Sequence, residues 1–156
     1  MILPPVVSNT SAIIALGQVH QINLLSNLFT EIVISPAVRS ELGTSFVPPS
    51  WMIEQHLTQP IGAQVLHAQL GSGEGEAISL AIELRARWVI LDDRPARRLA
   101  EALGLPVIGT LGILLAAKRR GLISIVRPTL DALVGFGFHV TPQLRERLLA
   151  DAGEIP

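Results

Sequence analysis

Four side chains follow strand-like segments or lie on the helices beside them, and we expect them to offer oxygen atoms to one cleft. They are Asn9, Glu41, Glu76 and Asp93, and Asp92 adds a neighbouring carboxylate. Three carboxylates brought together would repel one another unless a cation lay between them. Hard divalent ions such as Mg²⁺ or Mn²⁺ accept an oxygen-only set of this kind. Because such an ion can activate water and stabilise charge on a phosphoryl group, the pattern favours phosphoryl chemistry.

Each of these residues also has a simpler structural interpretation. Asn9 and Asp93 are typical helix caps, Glu41 could be a solvated helix residue, and Glu76 could complement the positive end of a helix. Taken singly, these interpretations are favoured. Taken together, the order of strand, polar residue and helix repeats in the way that a shared cleft requires.

The composition excludes several other classes of protein. The chain of 156 residues has 12 Lys and Arg against 13 Asp and Glu, with 49% hydrophobic and 16% charged residues. This balance excludes a disordered chain and a nucleic-acid binder coated in lysine. The absence of cysteine excludes thiolate nucleophiles and Cys-based zinc sites, and the four histidines show no metal-ligand spacing. A metal would therefore be held by oxygen.

Two uncharged stretches, 1–30 and 103–117, raise the possibility of a membrane segment. Polar residues and Pro4-Pro5 interrupt the first, while one proline and three glycines interrupt the second. The second also falls short of the ~18–20 apolar residues that a bilayer needs. No basic start precedes the first stretch, as a secretory signal would require. We therefore expect no membrane partner and a cytoplasmic location.

Short apolar segments alternate with helical patterns along the chain, which predicts a three-layer α/β/α sandwich with a mainly parallel central sheet. We expect one domain over 1–156. Strands are predicted at 6–7, 31–34, 88–91 and 106–108, with 51–56 left open between strand and loop and 138–140 as a last edge strand. Helices are predicted at 11–16, 22–28, 35–42, 62–69, 74–85, 95–103, 111–120, 129–134 and 141–150, with a break at Gly71-Ser72-Gly73.

Five segments carry a resemblance to one family, in order along the chain. They are Val-Val-Ser-Asn-Thr-Ser at 6–11, Ser-Pro-Ala-Val-Arg-Ser-Glu-Leu at 35–42, Gly-Glu-Gly-Glu-Ala-Ile at 73–78, Leu-Asp-Asp-Arg at 91–94 and Val-Ile-Gly-Thr-Leu-Gly-Ile-Leu at 107–114. In this order they resemble the corresponding segments of the PIN-domain family, a family of small metal-dependent ribonucleases that includes the toxins of VapBC-type toxin–antitoxin pairs. The resemblance covers about 5–125 and leaves a helical extension over about 126–156.

The resemblance implies cleavage of single-stranded RNA phosphodiesters with Mg²⁺ or Mn²⁺. It assigns catalysis to Glu41, Glu76 and Asp93, and metal binding to these three with Asn9 and Asp92. Toxin-type relatives also pair with a small antitoxin protein and form homodimers, so RNA, an antitoxin and a second copy are the expected partners. Independently, the residues that could hold the RNA backbone are Ser11, Arg94, Arg97 and Arg98.

Asn9 departs from the family pattern, which has aspartate at this position. An amide oxygen can ligate a hard cation but carries no formal charge, so metal affinity should be weaker. The alternative hypothesis is therefore a weak or inactive PIN-fold module that binds RNA or a protein without cutting it. A generic nucleotide binder has less support, because the chain lacks both Gly-x-Gly-x-x-Gly after the first strand and a Walker-type Gly-Lys-Ser/Thr.

Overall fold

The computed structural model describes residues 3–59, 62 and 70–155. In this part of the chain, five strands form one parallel sheet in the order β3-β2-β1-β4-β5. Val7 of β1 pairs with Val33 on one side and Val89 on the other. The strands are β1 (Val6–Ser8), β2 (Ile32–Ile34), β3 (Met52–Glu54), β4 (Trp88–Ile90) and β5 (Val107–Ile108). The segment left open at 51–56 is thus a strand at the sheet edge.

Eight helices are seen within the described residues. They are α1 (Thr10–Gln18), α2 (Asn23–Phe29), α3 (Pro36–Glu41), α4 (Ser72–Leu84), α5 (Arg94–Ala102), α6 (Thr110–Arg119), α7 (Arg127–Gly135) and α8 (Pro142–Asp151). The helix predicted at 62–69 lies outside the described residues, apart from Gly62. None of these helices is long and apolar enough to cross a membrane.

The predicted break at Gly71-Ser72-Gly73 is wrong, because α4 already begins at Ser72. Gly71 is the extended residue before the helix, and the two residues after it form the first turn. Gly73 is buried, and the Glu41 carboxylate occupies the space that a side chain at this position would need. Glycine here serves close packing and does not end the helix.

Two apolar clusters cover the two faces of the sheet. Successive strand residues point to opposite faces, so Val6 belongs to one cluster and Val7 to the other. The first cluster contains buried residues of α1, α2, α6, α7 and α8, and the second contains those of α4 and α5. This arrangement confirms the three-layer sandwich. It also explains why β2 and β4 consist only of apolar residues, since the strands inside the sheet are covered on both faces.

Residues 138–140 do not form the predicted edge strand. Gly137 turns the chain with φ +97° after α7, and the NH of Phe138 donates to the Leu133 carbonyl. Phe138 and Val140 then pack against the first apolar cluster from a loop. Apolar residues occur in this segment because they pack against the core, and the segment does not pair with the sheet.

Glu154 fastens the C-terminal segment to the fold. Its carboxylate accepts from the Lys118 ammonium at 3.0 Å and from the NH groups of Val126 and Arg127 at 2.6 and 3.1 Å. Burial opposes ionisation of this carboxyl, but these donors outweigh it and hold its pKa below the ordinary value of 4.5.

Glu154→Gln is expected to lower the free energy of unfolding at neutral pH by about 2 kcal/mol, because charged hydrogen bonds are lost. The folded pKa is depressed, so the stabilisation is full above 4.5 and is lost as the pH falls through the folded pKa. Urea denaturation at neutral and acidic pH measures this, with the exposed Glu146→Gln as the matched control. Identical behaviour of the two variants would contradict the predicted role of Glu154.

Candidate functional site

The strand order places the ends of β1, β2 and β4 next to one another at the carboxyl edge of the sheet. Asn9 directly follows the central strand β1, and Asp92 follows β4 on one side. Glu41 lies on α3, which follows β2 on the other side. The chain leaves β1 toward β2 and only later returns to form β4, so this edge is a topological switch point, where parallel α/β sheets bind ligands.

Asn9 occupies the cap position of α1, yet its side chain makes no capping hydrogen bond. The residue is 2% exposed, and its Oδ1 is buried without a hydrogen-bond partner. Its backbone NH donates to the Ile90 carbonyl at 3.0 Å, which fixes the end of β1 against β4. A buried amide oxygen without a hydrogen-bond partner lowers the free energy of unfolding by about 1–3 kcal/mol. Local structure alone therefore does not account for its burial.

Thr10 and Glu41 form the first of two hydrogen-bonded groups beside Asn9. Thr10 Oγ1 donates to Glu41 Oε2 at 2.6 Å, and the NH of Gly73 donates to Glu41 Oε1 at 2.9 Å. Ser72 Oγ adds a longer contact of 3.4 Å. Glu41 therefore joins the N-terminal turns of α1 and α4, and its carboxylate orientation is fixed from two directions.

Ser11 and Asp92 form the second group. Ser11 Oγ donates to Asp92 Oδ2 at 3.0 Å, and the Thr110 hydroxyl donates to the same oxygen at 2.6 Å. The NH of Thr110 donates to Asp92 Oδ1 at 2.7 Å. Thr10 and Ser11, the first two residues of α1, thus donate to carboxylates on opposite sides of the central strand: Thr10 to Glu41 and Ser11 to Asp92. Neither hydroxyl donates to the Asn9 side chain.

Glu76 and Asp93 are engaged elsewhere. Glu76 Oε1 accepts from the NH of Ala37 in the first turn of α3, at 2.9 Å. The Asp93 carboxylate caps α5 by accepting from the NH of Ala96 at 3.0 Å, and Asp93 is exposed. Of the two neighbouring aspartates, Asp92 is the one that joins the hydroxyl residues of α1. The prediction that the side chain caps the following helix is therefore confirmed for Asp93 and wrong for Asn9.

No group of three or more His, Cys, Asp or Glu side chains that could hold a metal ion occurs among the described residues. The expected convergence of three carboxylates is thus not seen among these residues, and Glu41, Glu76 and Asp93 each accept a hydrogen bond from a different protein donor. By donor type the edge still fits one hard cation. The Asn9 oxygen has no partner, the next two residues, Thr10 and Ser11, donate to the Glu41 and Asp92 carboxylates, and all the candidate ligands are oxygens.

The predicted RNA-binding arginines separate into two kinds. Arg94 and Arg97 line a cleft of about 470 Å³ that also includes Asp92, whereas Arg98 is exposed on α5 outside the cleft lining. Arg97 also has a structural contact, since its Nη1 donates to the Leu91 carbonyl at 2.9 Å. Arg94 and Arg97 are therefore the two that lie next to the polar edge.

Sequence reasoning missed Gly73 and Thr110 as parts of this edge. Thr110 begins α6 directly after β5 and Gly109, the same order of strand, polar residue and helix that drew attention to Asn9. The same order could therefore have predicted that Thr110 lies at this edge. The role of Gly73 had no comparable signal, because it depends on how closely α3 approaches α4.

Gly73→Ala is expected to displace the Glu41 carboxylate and to weaken any function of the edge. A Cβ atom there would lie 2.5–2.6 Å from both Glu41 oxygens, so the contact with Thr10 must give way. Gly17→Ala is the matched control, because a Cβ on this helical glycine meets nothing within 4 Å. Thermal unfolding should show a loss for Gly73→Ala and a gain of about 0.5–1 kcal/mol for Gly17→Ala. Equal stability of the two variants would contradict the packing role.

These features define a three-layer parallel α/β protein with an oxygen-rich edge at its switch point. Comparison of the sequence with protein families matches the PIN-domain model over residues 5–154. The chain therefore belongs to the PIN-domain family, whose members are generally nucleases, and the predicted resemblance is confirmed. The match extends past residue 125 into the C-terminal helices. No curated protein and no solved structure matches the chain.

Proposed function

We propose that this protein is a metal-dependent ribonuclease that cleaves single-stranded RNA phosphodiesters. The proposal rests mainly on one observation: Asn9 Oδ1 is buried without a hydrogen-bond partner at the switch point. Glu41 follows the neighbouring strand β2 there, and Asp92 follows the other neighbour, β4. Membership of a family of nucleases supports the reaction class. Asn9, Glu41 and Asp92 are the proposed ligands of Mg²⁺ or Mn²⁺, with Glu76 and Asp93 as outlying carboxylates.

The chain's own contribution is to fix charge and orientation. When bound, the cation supplies Lewis-acid stabilisation of the phosphodiester and eases deprotonation of water. Thr10 and Ser11 prevent rotation of the Glu41 and Asp92 carboxylates by donating to them. Because the carboxylates are already oriented, they need to move less when charge develops in the transition state. Arg94 and Arg97 lie beside Asp92, where guanidinium groups would hold the phosphates of the substrate.

Cleavage of end-labelled single-stranded RNA tests the proposal directly. With Mn²⁺ or Mg²⁺ present, discrete shorter products should accumulate, and EDTA should stop the reaction. The same RNA annealed to its complement should be cut more slowly. Products that persist in EDTA would contradict metal dependence, and intact RNA under every condition would contradict the nuclease assignment.

A second candidate function is an RNA-binding module that does not cut. Two observations favour it: Asn9 supplies no charge, and no three carboxylates come together among the residues described. RNA binding without cleavage by the native protein would select this function. If Asn9→Asp then acquires cleavage, the missing charge is the reason for the inactivity of the native protein.

The toxin role, the small antitoxin and the homodimer stay predictions of the resemblance. The homodimer has a simple measurement, since light scattering after gel filtration should give about twice the chain mass of 16.7 kDa. A mass equal to that of one chain would contradict the predicted homodimer.

A further inference from the structure

The cleft of about 470 Å³ next to Asp92 extends beyond the residues used by the proposed reaction, into the C-terminal region. Arg94 and Arg97 of α5 line one part of it, and the turn from β5 into α6 lines another. The loop residues Phe138 and His139, with Arg147 of α8, add a wall from the C-terminal region. The cleft therefore begins at the proposed metal edge and ends at the C-terminal helix.

The charges in this cleft favour an anion. Three arginines, Arg94, Arg97 and Arg147, face two carboxylates, Asp92 and Asp151. Asp92 already accepts three hydrogen bonds from Ser11 and Thr110. Within the described part of the chain, none of the three arginines forms an ion pair. Unpaired guanidinium groups that converge on a cleft are suited to bidentate contacts with phosphate oxygens.

The same cleft presents rings and apolar atoms. Phe138 is half-buried and His139 is exposed, and both line the cavity together with Leu111 and Leu144. Flat side chains beside cationic groups are the usual platform for an unstacked base, because stacking tolerates any sequence and the charges follow the backbone. The volume lies within the range of about 300–1,000 Å³ that is typical of small-ligand sites.

We propose that this cleft binds one nucleotide of single-stranded RNA adjacent to the phosphate at Asp92. Arg94 of α5 and Arg147 of α8 contact its phosphates, and Phe138 with His139 stacks against its base. Arg97 has a smaller role, because one of its nitrogens is held by the Leu91 carbonyl. The inference deepens the proposed function, since it takes RNA as the substrate of that edge.

Equilibrium binding of a fluorescein-labelled single-stranded RNA, without divalent cations, tests the cleft separately from cleavage. Arg147→Ala should weaken binding about tenfold, the size of a lost charge-assisted contact. It should also reduce the slope of log K against log salt by about 0.7. Arg145→Ala is the matched control on the same helix, because Arg145 pairs with Asp131 at 2.6 Å and lies outside the cleft lining.

Two further variants keep the test decisive if Arg147→Ala is poorly folded. Arg94→Ala, on α5, should give a similar loss of binding. Phe138→Leu keeps apolar packing and should weaken binding about fivefold or more through lost stacking. Thermal melting of every variant verifies that it is folded at the temperature of the assay.

The outcomes separate this inference from the proposed function. Losses at Arg147, Arg94 and Phe138 with an unchanged Arg145→Ala support the cleft, even if the native protein never cuts the RNA. Equal affinity of Arg147→Ala and Arg145→Ala overturns the cleft, even if cleavage is observed. Absence of RNA binding by the native protein also overturns it.

Discussion

Asp92→Asn is expected to reduce RNA cleavage about a hundredfold to a thousandfold, the usual loss when a preorganised electrostatic group is removed. The neighbouring Asp93→Asn should leave the rate within about threefold, because asparagine is an equally good helix cap. The distinction follows from the contacts of each carboxylate. Asp92 accepts from Ser11 and Thr110 at the edge, whereas Asp93 accepts from Ala96 of its own helix.

Stability must be measured together with the rate. The asparagine amide in Asp92→Asn places a donor where Ser11 and Thr110 already donate, so we expect a loss of about 1–3 kcal/mol. Rates are therefore compared below the onset of unfolding of each variant. Thr110→Val separates the two effects, since it removes one donor to Asp92 and keeps its charge. Full activity of Asp92→Asn, or an equal loss in Asp93→Asn, would contradict the assignment.

Asn9→Asp is expected to make the stability of the protein strongly dependent on divalent metal. Without metal, the new carboxylate would be buried at the sheet edge that also carries Glu41 and Asp92, with no bound cation to compensate its charge. Such an uncompensated buried charge costs about 3 kcal/mol or more. Saturating Mn²⁺ should restore this loss, because binding to the folded state at a hundred times Kd contributes about 2.7 kcal/mol. Cleavage by this variant should also exceed that of the native protein.

Asn9→Ala provides the matched control. It removes the one buried side-chain oxygen that has no hydrogen-bond partner among the described residues, so the loss of this oxygen breaks no hydrogen bond. Its unfolding should not respond to Mn²⁺, whereas that of the native protein should respond weakly and that of Asn9→Asp strongly. Calorimetric melting with Mn²⁺ and with EDTA measures all three. Melting temperatures of Asn9→Asp that do not change with Mn²⁺ would contradict a metal site at this edge.

The sequence by itself determined the fold class and the family. Strands that are buried on both faces appear in the sequence as short apolar runs. These runs can be recognised even when the predicted strand ends are slightly wrong, so the parallel sheet was predictable. Chain order also placed Asn9, Glu41 and Asp92 after neighbouring strands. The carboxyl ends of parallel strands meet at one edge, which is why Asn9, Glu41, Glu76 and Asp93 were predicted together, with Asp92 as an additional carboxylate.

Only the tertiary structure decided which oxygens meet. Asp92 and Asp93 are adjacent after β4, and a shift of one residue turns a side chain to the other face, so the pattern could not choose between them. The contact of Glu41 with Gly73 spans 32 residues and depends on the approach of two helices. The C-terminal loop likewise became a wall of the cleft because Phe138 packs on the core instead of extending the sheet. Such contacts depend on distances between elements, which a local pattern of residues does not encode.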